Sequence, residues 1–352
     1  MKNFFKGKKV LVTGHTGFKG SWLSIYLSQL KSKIYGISLK PKSKICNFNL
    51  SQVEKICKKS LIFDLKNFKK LDKEFKKIEP EIIFHLAAQP LVSVSYNEPS
   101  LTWSNNLIST LNLLEIIKNY KKKITLIVIT SDKCYENLEL KRGYKEEDRL
   151  GGKDPYSASK ASVEILCRSY FESFFKKKRN IKFATVRAGN VIGGGDWSKD
   201  RLIPDIIKSI KYKKTLEIRN PNSTRPWQHV LEPLTGYILL AQKINSNKNL
   251  NGESFNFGPN NEKGYTVYNV VKKIKKIFPK LNYKINEDKI FHESNLLKLN
   301  CNKSKKLLNW KQLMSFDETI NFTSEWYKNY FDKKNCKEFT NLQIKNYIKL
   351  RK

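Results

Sequence analysis

Short apolar runs alternate with longer amphipathic segments along the first half of the chain. Short apolar runs between turn residues are typical of buried strands, and apolar residues spaced three and four apart are typical of helices. The pattern predicts strands at 8–13, 33–39, 61–63, 81–85, 124–130 and 182–187. It predicts helices at 21–30, 65–77, about 107–120 and 156–178. Strands that alternate with helices predict an α/β fold with a doubly wound parallel sheet, covered by helices on both faces.

The composition and the hydrophobic pattern change after residue 188. Glycine, proline, asparagine and tryptophan become frequent there, and the apolar runs become shorter. We therefore predict a first domain at 1–188, which holds the sheet. Residues 189–331 are predicted to form a smaller α/β lobe that binds the substrate and is interleaved with the first domain in space. The basic segment 332–352 is predicted to be a peripheral helix or a tail.

Composition narrows the class of protein. Hydrophobic residues make up 39% of the 352 residues, which is enough for a sizeable core. No apolar run reaches the length that spans a bilayer, and the first residues lack the apolar region of a signal peptide, so we expect a cytoplasmic protein without membrane contact. The six cysteines form no C-x-x-C pair and no cluster with histidines, which argues against a metal site or a disulfide framework.

The formal net charge of +36 raises the question of nucleic-acid binding. The basic residues are mostly lysines that are spread along the whole chain and fall at helix ends or in loops. This distribution is typical of solvated faces, so we expect no nucleic-acid partner. The charge still favours small anions such as a nucleotide sugar.

Three glycines follow the first predicted strand. Gly14, Gly17 and Gly20 have the spacing G-x-x-G-x-x-G and precede a predicted helix. Glycine there allows a tight turn and close approach of the backbone to a pyrophosphate, whose charge the helix N-terminus favours. The segment therefore predicts a dinucleotide cofactor in a Rossmann domain, and a turn without a ligand is the weaker interpretation. The expected cofactor contacts are Gly14, His15, Thr16, Gly17, Phe18, Lys19 and Gly20.

The end of the second predicted strand bears on the choice of cofactor. An acidic residue at this position would favour the free ribose hydroxyl of NAD. The sequence instead has Ser38-Leu39-Lys40, and Lys40 or Lys42 can meet a 2′-phosphate. The residues therefore leave the choice between NAD and NADP open.

Two further strand ends are expected to line the cofactor. Asp64 and Leu65 follow the third strand, where Asp64 either hydrogen bonds the adenine amino group or caps the next helix. Leu86, Ala87 and Ala88 follow the fourth strand, where small residues let the cofactor pass close to the backbone. The preceding histidine, at position 85, is interpreted as a packed residue.

The fifth strand ends in Ser131-Asp132-Lys133, and Tyr156 and Lys160 stand one helical turn apart at the start of a helix. Carboxyl ends of parallel strands form the ligand crevice of a doubly wound sheet. A phenol becomes a base when a neighbouring ammonium lowers its pKa, so we expect Lys160 to depress the pKa of Tyr156. Ser131 is expected to hydrogen bond the substrate hydroxyl. A capping turn is the alternative interpretation of Ser131-Asp132.

Several longer segments resemble one family. They are TGHTGFKGSW at 13–22, AQPLV at 88–92, TSDKCYEN at 130–137, RAGNVIGGGDW at 187–197 and RPWQHVLE at 225–232. Together with the Tyr156 and Lys160 pair, they resemble the extended short-chain dehydrogenase/reductase family, also called the NAD-dependent epimerase/dehydratase family. The likeness covers nearly the whole chain. Within the family, the segments are similar to those of the subgroup that dehydrates CDP-glucose.

The resemblance implies a redox-neutral dehydration. Tyr156 is expected to remove the proton of the glucose 4-hydroxyl as the C4 hydride passes to bound NAD. The 4-ketone then acidifies the C5 proton, water leaves across C5–C6, and hydride returns to C6. Asp132 is expected to protonate the departing C6 oxygen. Related dehydratases usually carry glutamate where this chain has Lys133, so the C5 base is predicted to be Lys133, with Tyr135 or Glu136 as alternatives.

The resemblance also implies binding residues and partners. NAD is the expected cofactor, with Asn106 as a further contact, and CDP-glucose or a related nucleotide sugar is the expected substrate. A homodimer or a dimer of dimers is expected, in a pathway that supplies deoxysugars to surface polysaccharides such as O-antigen. One departure is the absence of the family's basic residue after AQPLV, where this chain has a serine. The expected substrate contacts are Gln89, Ser131, Asn190, Arg201, Arg219 and Arg225.

Two other functions compete with this interpretation. An epimerase, or a dehydratase acting on another nucleotide sugar, would use the same oxidation site. The acid at position 132 favours dehydration over epimerisation, because epimerisation needs only the tyrosine and lysine pair. A non-catalytic dinucleotide-binding protein is a more distant alternative, and the retained Tyr156 and Lys160 argue against it.

Overall fold

The computed structural model describes residues 1–140, 142–218, 220–259, 264–286 and 297–351. The strands are β1 (Lys9–Thr13), β2 (Lys33–Ser38), β3 (Cys57–Ile62), β4 (Ile82–His85), β5 (Ile124–Ile129), β6 (Ile181–Ala188), β7 (Val191–Ile192), β8 (Leu216–Ile218), β9 (Thr224–Arg225), β10 (Gln228–His229), β11 (Ser254–Phe257), β12 (Tyr265–Thr266) and β13 (Tyr283–Ile285).

The helices lie between and after these strands. The α-helices are α1 (Lys2–Phe5), α2 (Phe18–Gln29), α3 (Asn47–Leu50), α4 (Val53–Ile56), α5 (Phe68–Ile78), α6 (Val92–Asn97), α7 (Pro99–Trp103), α8 (Ser109–Lys118), α9 (Pro155–Tyr170), α10 (Leu202–Tyr212), α11 (Leu231–Lys243), α12 (Val267–Ile277), α13 (Asn302–Leu308), α14 (Phe316–Phe331) and α15 (Cys336–Lys349). Single π-helical turns occur at Ser104–Ile108 and Phe171–Phe175, and 3₁₀ turns at Asp132–Cys134 and Lys248–Leu250.

A seven-stranded parallel sheet forms the centre of the molecule, in the order β11-β6-β5-β4-β1-β2-β3. All six strands predicted from the sequence are present, and the doubly wound α/β fold is confirmed. The third strand begins earlier and ends earlier than predicted, at Cys57–Ile62. The seventh strand, β11, was not predicted; it pairs with β6 and comes from the region assigned to the substrate lobe.

Alternate residues of β1 pack into two separate cores, one on each face of the sheet. Val10 and Val12 join the larger core, which includes Trp22 and residues of the C-terminal half. Leu11 joins the smaller core, which includes Phe75. Side chains alternate across a strand, so a sheet that is covered on both faces needs a nearly continuous apolar run.

The last helix is tied to the rest of the molecule by hydrogen bonds as well as by packing. The α15 residue Thr340 accepts a hydrogen bond of 2.8 Å from Nε1 of Trp326, and Tyr347 donates one of 2.7 Å to Glu232. The domain boundaries at 188 and 331 stay predictions. Across the described ranges, none of the helices has an apolar stretch long enough to cross a membrane.

The carboxyl ends of the central strands are in register at one edge of the sheet. Thr13 of β1 lies opposite His85 of β4, and Ile129 of β5 lies opposite Val186 of β6. The turns that follow these strands therefore meet in one crevice, where the predicted site residues were expected.

Candidate active site

The glycine turn after β1 is closely packed. Gly14 has a φ of 73°, in the left-handed region, and a Cβ there would stand 2.8 Å from the backbone nitrogen of Ala87. A Cβ on Gly20 would clash with the carbonyl oxygen of Gly14. The two glycines allow the start of α2 to approach the turn, so the N-terminus of this helix opens onto the crevice with Gly17 as its N-cap. This cradle fits a pyrophosphate.

The His15 and Thr16 side chains hold the turn against β2 and β3. Nε2 of His15 lies 2.8 Å from Oγ of Ser60, and its ring packs against Gly36. Burial lowers the pKa of His15 to about 4. Thr16 donates a hydrogen bond of 2.9 Å to the carbonyl of Leu39. The His15 ring packs between strands, and the cofactor contact at His15 stays a prediction.

Lys19 belongs to the catalytic crevice as well as to the glycine turn. Burial lowers its pKa to about 8; the charge of Arg201 acts in the same direction, and the carboxylate of Asp132 opposes it. Lys160 and Lys133 also contribute to this field. Sequence reasoning could not place Lys19 in the catalytic crevice, because the turn brings it beside groups that are far away along the chain.

The predicted adenine and ribose contacts differ in their surroundings. Leu39 is half exposed at the end of β2. Asp64 accepts a hydrogen bond of 2.9 Å from the backbone nitrogen of Lys66 and lies 3.4 Å from its Nζ, so it orders its own turn. The N-cap of α5 is Asn67, so Asp64 does not cap that helix. Leu65 is buried in the smaller core.

The turn after β5 brings three predicted residues together. Oγ of Ser131 donates a hydrogen bond of 2.9 Å to Oδ1 of Asp132 and accepts one of 3.3 Å from the backbone nitrogen of Lys133. Nζ of Lys133 lies 3.6 Å from Oδ1 of Asp132. Ser131 is thus the cap of a 3₁₀ turn, and the same turn places its hydroxyl beside the carboxylate.

Helix α9 places Tyr156 against this turn. Asp154 caps the helix by accepting a hydrogen bond of 3.0 Å from the backbone nitrogen of Ser157, and proline occupies the first helical position. The Tyr156 hydroxyl lies close enough to Ser131 for the serine to oppose the rise in its pKa. The helix therefore starts where the tyrosine must enter the crevice, and Lys160 follows one turn later, also buried.

The ionisation of this pair differs from the prediction. Burial raises the pKa of Tyr156 to about 12, against a smaller opposite effect of Ser131. Burial lowers the pKa of Lys160 to about 8, opposed by Cys134 and Glu164. The expectation that the pKa of Tyr156 is depressed is thus wrong for the protein without bound ligands. Loss of hydration raises this pKa by more than Ser131 and Arg201 lower it.

A buried ion pair, which the sequence analysis missed, joins the catalytic elements. The carboxylate of Glu164 on α9 accepts hydrogen bonds of 3.0 and 2.9 Å from Nε and Nη2 of Arg187 on β6. It also accepts one from Thr130, the residue before Ser131, and one of 2.7 Å from Thr185. The pair therefore ties the helix that carries Tyr156 to the strand end that carries Asp132.

The family model described as GDP-mannose 4,6 dehydratase matches residues 11–323 of the chain. The chain belongs to this family. The CDP-glucose 4,6-dehydratase of Salmonella typhimurium is 42% identical over 332 residues, which cover 93% of this chain and 92% of that protein. The resemblance to extended short-chain dehydrogenases/reductases is confirmed.

Solved structures of related enzymes share the fold. The dTDP-glucose 4,6-dehydratase of Bacillus anthracis, in complex with NAD, has a TM-score of 0.74 at 23% identity and covers 92% of this chain and 98% of its own. The UDP-glucuronic acid 4-epimerase of Bacillus cereus, in complex with UDP-glucuronic acid and NAD, has a TM-score of 0.78 at 23% identity, with 91% and 99% covered. Dehydratases and epimerases thus share this architecture.

In this member of the family, the alternatives to Lys133 as C5 base differ in access. Tyr135 is buried, and its hydroxyl donates to Asn256 at 2.8 Å and accepts from Arg187 at 2.7 Å. Both hydrogen bonds hold this hydroxyl within the protein, which disfavours Tyr135 as the C5 base. Glu136 is partly exposed and pairs with Nε of Arg149 at 3.0 Å.

Two residues predicted to contact ligands are occupied within the protein. The side-chain amide of Gln89 donates hydrogen bonds of 2.9 Å to the carbonyl of Leu91 and to Thr102, and its oxygen accepts one from the backbone of Leu91. The Asn106 side chain donates one of 2.8 Å to Ser159 and accepts one of 2.7 Å from the backbone of Gln89. These buried amides join the loop after β4 to the helices beside it, and the predicted ligand contacts at Gln89 and Asn106 stay predictions.

The remaining predicted substrate contacts fall in several places. Arg201 reaches the crevice, where its charge acts on Tyr156 and Lys19, and its Nη1 lies 3.0 Å from Oδ2 of Asp196. Asn190 is half-buried just after β6. Arg225 lies in β9 and donates a hydrogen bond of 2.8 Å to the carbonyl of Thr224. The predicted contact at Arg219 lies outside the described residues.

Proposed function

We propose that this protein dehydrates CDP-glucose to CDP-4-keto-6-deoxyglucose. The observation that carries the proposal is the acid beside the oxidation residues: Oγ of Ser131 donates a hydrogen bond of 2.9 Å to Asp132, and the charge of Asp132 acts on Tyr156. An epimerase needs only the oxidation pair, whereas loss of water also needs an acid for the departing oxygen. The named activity of the Salmonella typhimurium relative supports the choice of CDP-glucose.

NAD is the proposed cofactor. It would be held by the turn from Gly14 to Gly20 and by residues 86–88, which follow β4. The fit rests on the close packing of the turn, because a Cβ on Gly14 would meet the backbone of Ala87 and a Cβ on Gly20 would meet the backbone of Gly14, so that only glycine lets the turn lie against the start of α2. When bound, NAD accepts the C4 hydride and returns a hydride to C6. The end of β2 carries no acidic residue, so competition between NAD and NADP in a binding titration decides the preference.

The chain's own residues divide the proton transfers between them. Tyr156 takes the proton of the 4-hydroxyl, while Ser131 hydrogen bonds the same oxygen and the ammonium of Lys160 stabilises the phenolate. Lys133 takes the C5 proton as the C5–C6 double bond forms. Asp132 gives a proton to the C6 oxygen, which leaves as water. Its carboxyl is almost fully buried, which keeps bulk water from this step.

Positive charge in the crevice favours a nucleoside diphosphate. The charges of Arg201, Asp132 and Lys160 all act on Lys19, so three cationic side chains, Lys19, Lys160 and Arg201, lie together in the crevice. Arginine binds phosphate through two parallel hydrogen bonds, and we assign this task to Arg201 and Arg225.

The product is proposed to enter a deoxysugar pathway for surface polysaccharide. The proposed compartment is the cytoplasm, which suits the six cysteines because all of them are free thiols.

A substrate panel tests the proposal. The purified protein is incubated with NAD and with CDP-, dTDP-, UDP- or GDP-glucose, and the 4-keto product is followed by its absorbance in alkali. We expect product from CDP-glucose, and product only from another nucleotide sugar would refute the proposed substrate.

Two variants test the proposed roles of the catalytic residues. Tyr156→Phe should abolish the first hydride transfer. Asp132→Asn should slow elimination more than oxidation, and equal loss of both steps would contradict the role of Asp132 as acid.

Two copies of the chain are proposed to pair through α7 and α9. These helices pack against each other, and the exposed apolar side chains on or next to them include Leu101, Ile108, Ile165 and Phe174. An apolar surface made by two adjacent helices suits the same pair of helices from a second copy, which gives a four-helix interface with two-fold symmetry.

A further inference from the structure

Gly189 stands beside the catalytic carboxylate although it lies 57 positions further along the chain. It follows the last residue of β6, and Asp132 follows the neighbouring strand β5, so the two strand ends bring them together. A Cβ on Gly189 would stand 3.2 Å from Oδ2 of Asp132 and 3.1 Å from Cγ of Pro226. Gly189 is therefore enclosed between the carboxylate and the proline.

The two oxygens of the Asp132 carboxylate have different surroundings. Oδ1 accepts the hydrogen bond from Ser131 and faces Nζ of Lys133. Oδ2 accepts no hydrogen bond from the part of the chain that the structure describes, and it is the oxygen that faces Gly189. The oxygen that remains for a ligand thus lies on the side where position 189 has no side chain.

Backbone conformation does not account for glycine at this position. The φ of Gly189 lies outside the left-handed region, unlike that of Gly195 in the same segment, which is 79°. An alanine can adopt the backbone of Gly189, so the requirement is for space. A methyl group would force the carboxylate or Pro226 to shift by a few tenths of an ångström.

We propose that Gly189 is a positioning residue for elimination: its missing side chain keeps Oδ2 of Asp132 in line with the departing C6 oxygen. The proposal rests on the proposed function, in which Asp132 is the acid. It predicts an effect on one chemical step. Oxidation at C4 depends on Tyr156 and Ser131, and Ser131 bonds to Oδ1 of Asp132, the oxygen that does not face Gly189.

Gly189→Ala tests the proposal in single-turnover experiments with CDP-glucose. We expect elimination to slow by roughly 3- to 10-fold, because displacement of a catalytic group by a fraction of an ångström has effects of this order. The KM and the rate of NAD reduction should stay within about two-fold, since neither depends on the acid. Gly258→Ala is the matched control, because it adds a methyl group at the end of the neighbouring strand β11, where the atoms within reach belong to Leu299 and Cys301 and not to Asp132.

A double-variant cycle shows whether Gly189 acts through Asp132. In the Asp132→Asn background, Gly189→Ala should cause less than about a two-fold further loss, because the group that it displaces no longer acts as an acid. An equal loss in both backgrounds, or equal slowing of oxidation and elimination, would overturn the proposal.

Crystal structures of the wild type and Gly189→Ala supply a readout that does not depend on turnover. The carboxylate of Asp132 should shift by a few tenths of an ångström in the variant, and an unmoved carboxylate refutes the proposal. If the wild type does not turn over CDP-glucose, the proposed function fails, whereas the carboxylate shift still decides the claim about Gly189.

Discussion

The acid–base groups of the crevice set the expected pH dependence. Lys160 is charged below a pKa of about 8 and neutral above it, because burial lowers its pKa from the usual value. Of the two forms of Lys160, only the charged ammonium can stabilise the Tyr156 phenolate. We therefore expect kcat/KM to fall as the pH rises through about 8. Lys160→Arg should lose this fall, because the guanidinium stays charged. The pH profile of kcat/KM in both proteins checks this.

Lys19 is the control for this assignment, because burial also lowers its pKa to about 8. In Lys19→Met, the fall that belongs to Lys160 should remain. A fall that persists in Lys160→Arg and disappears in Lys19→Met would assign it to Lys19 instead.

Exchange of the C5 proton identifies the base that removes it. Lys133→Met should reduce incorporation of solvent deuterium at C5 by about 10²-fold or more, because a positioned base contributes rate factors of this size. Glu136→Gln is the matched control; Glu136 is held by Arg149 at 3.0 Å, and exchange should stay near that of the wild type. Mass spectrometry of the product in heavy water measures both, and the reverse order of losses would make Glu136 the base.

The positions of residues that follow from local spacing were predicted, whereas properties that depend on burial were not. Tyr156, Lys160, Ser131 and Asp132 meet as expected, because a helical turn and neighbouring strand ends fix their places. The raised pKa of Tyr156 was missed because desolvation depends on the packing of the whole crevice. Gln89 shows the same limit, since its side-chain amide is occupied by the backbone of its own loop.

At the scale of elements, the Glu164–Arg187 pair links α9 to β6. Glu164→Gln leaves the buried Arg187 guanidinium without its counter-charge, so we expect the free energy of unfolding to fall by about 3–5 kcal/mol. Glu172→Gln is the control, because Glu172 forms an exposed pair with Lys176 and should change the free energy by less than about 1 kcal/mol. Urea unfolding compares the two, and similar small losses would contradict the role given to Glu164.

Elements with clear periodicity were predicted, and elements that depend on distant partners were not. The apolar run of β5 is buried at every position, which its sequence already indicated. Strand β11 is a short segment that becomes a strand by pairing with β6. The glycines at 193–195 in the RAGNVIGGGDW segment, quoted from the sequence only as resemblance, serve packing: a Cβ on Gly194 would overlap Trp326.

At the scale of the whole molecule, the apolar surface on α7 and α9 predicts a dimer. Ile165 is 58% exposed on α9. Ile165→Lys should convert the dimer to a monomer. At an apolar two-fold interface the new ammonium would be buried without a counter-charge and would face the same ammonium of the second copy. Leu342→Lys, on the exposed face of α15, is the control and should leave the assembly unchanged. Sedimentation velocity distinguishes these outcomes, and a monomeric wild type would contradict the pairing.

The position of β11 at the edge of the sheet has a consequence for synthesis. A ribosome releases residues 1–188 before it makes Ser254–Phe257, so the nascent β6 presents an open row of backbone hydrogen-bonding groups until its partner strand emerges. Open edges of this kind recruit other chains. A recombinant fragment that ends at residue 188 keeps this open edge permanently, so we expect it to aggregate. Co-expression of the segment that contains β11 should prevent this aggregation, whereas a change of buffer should not.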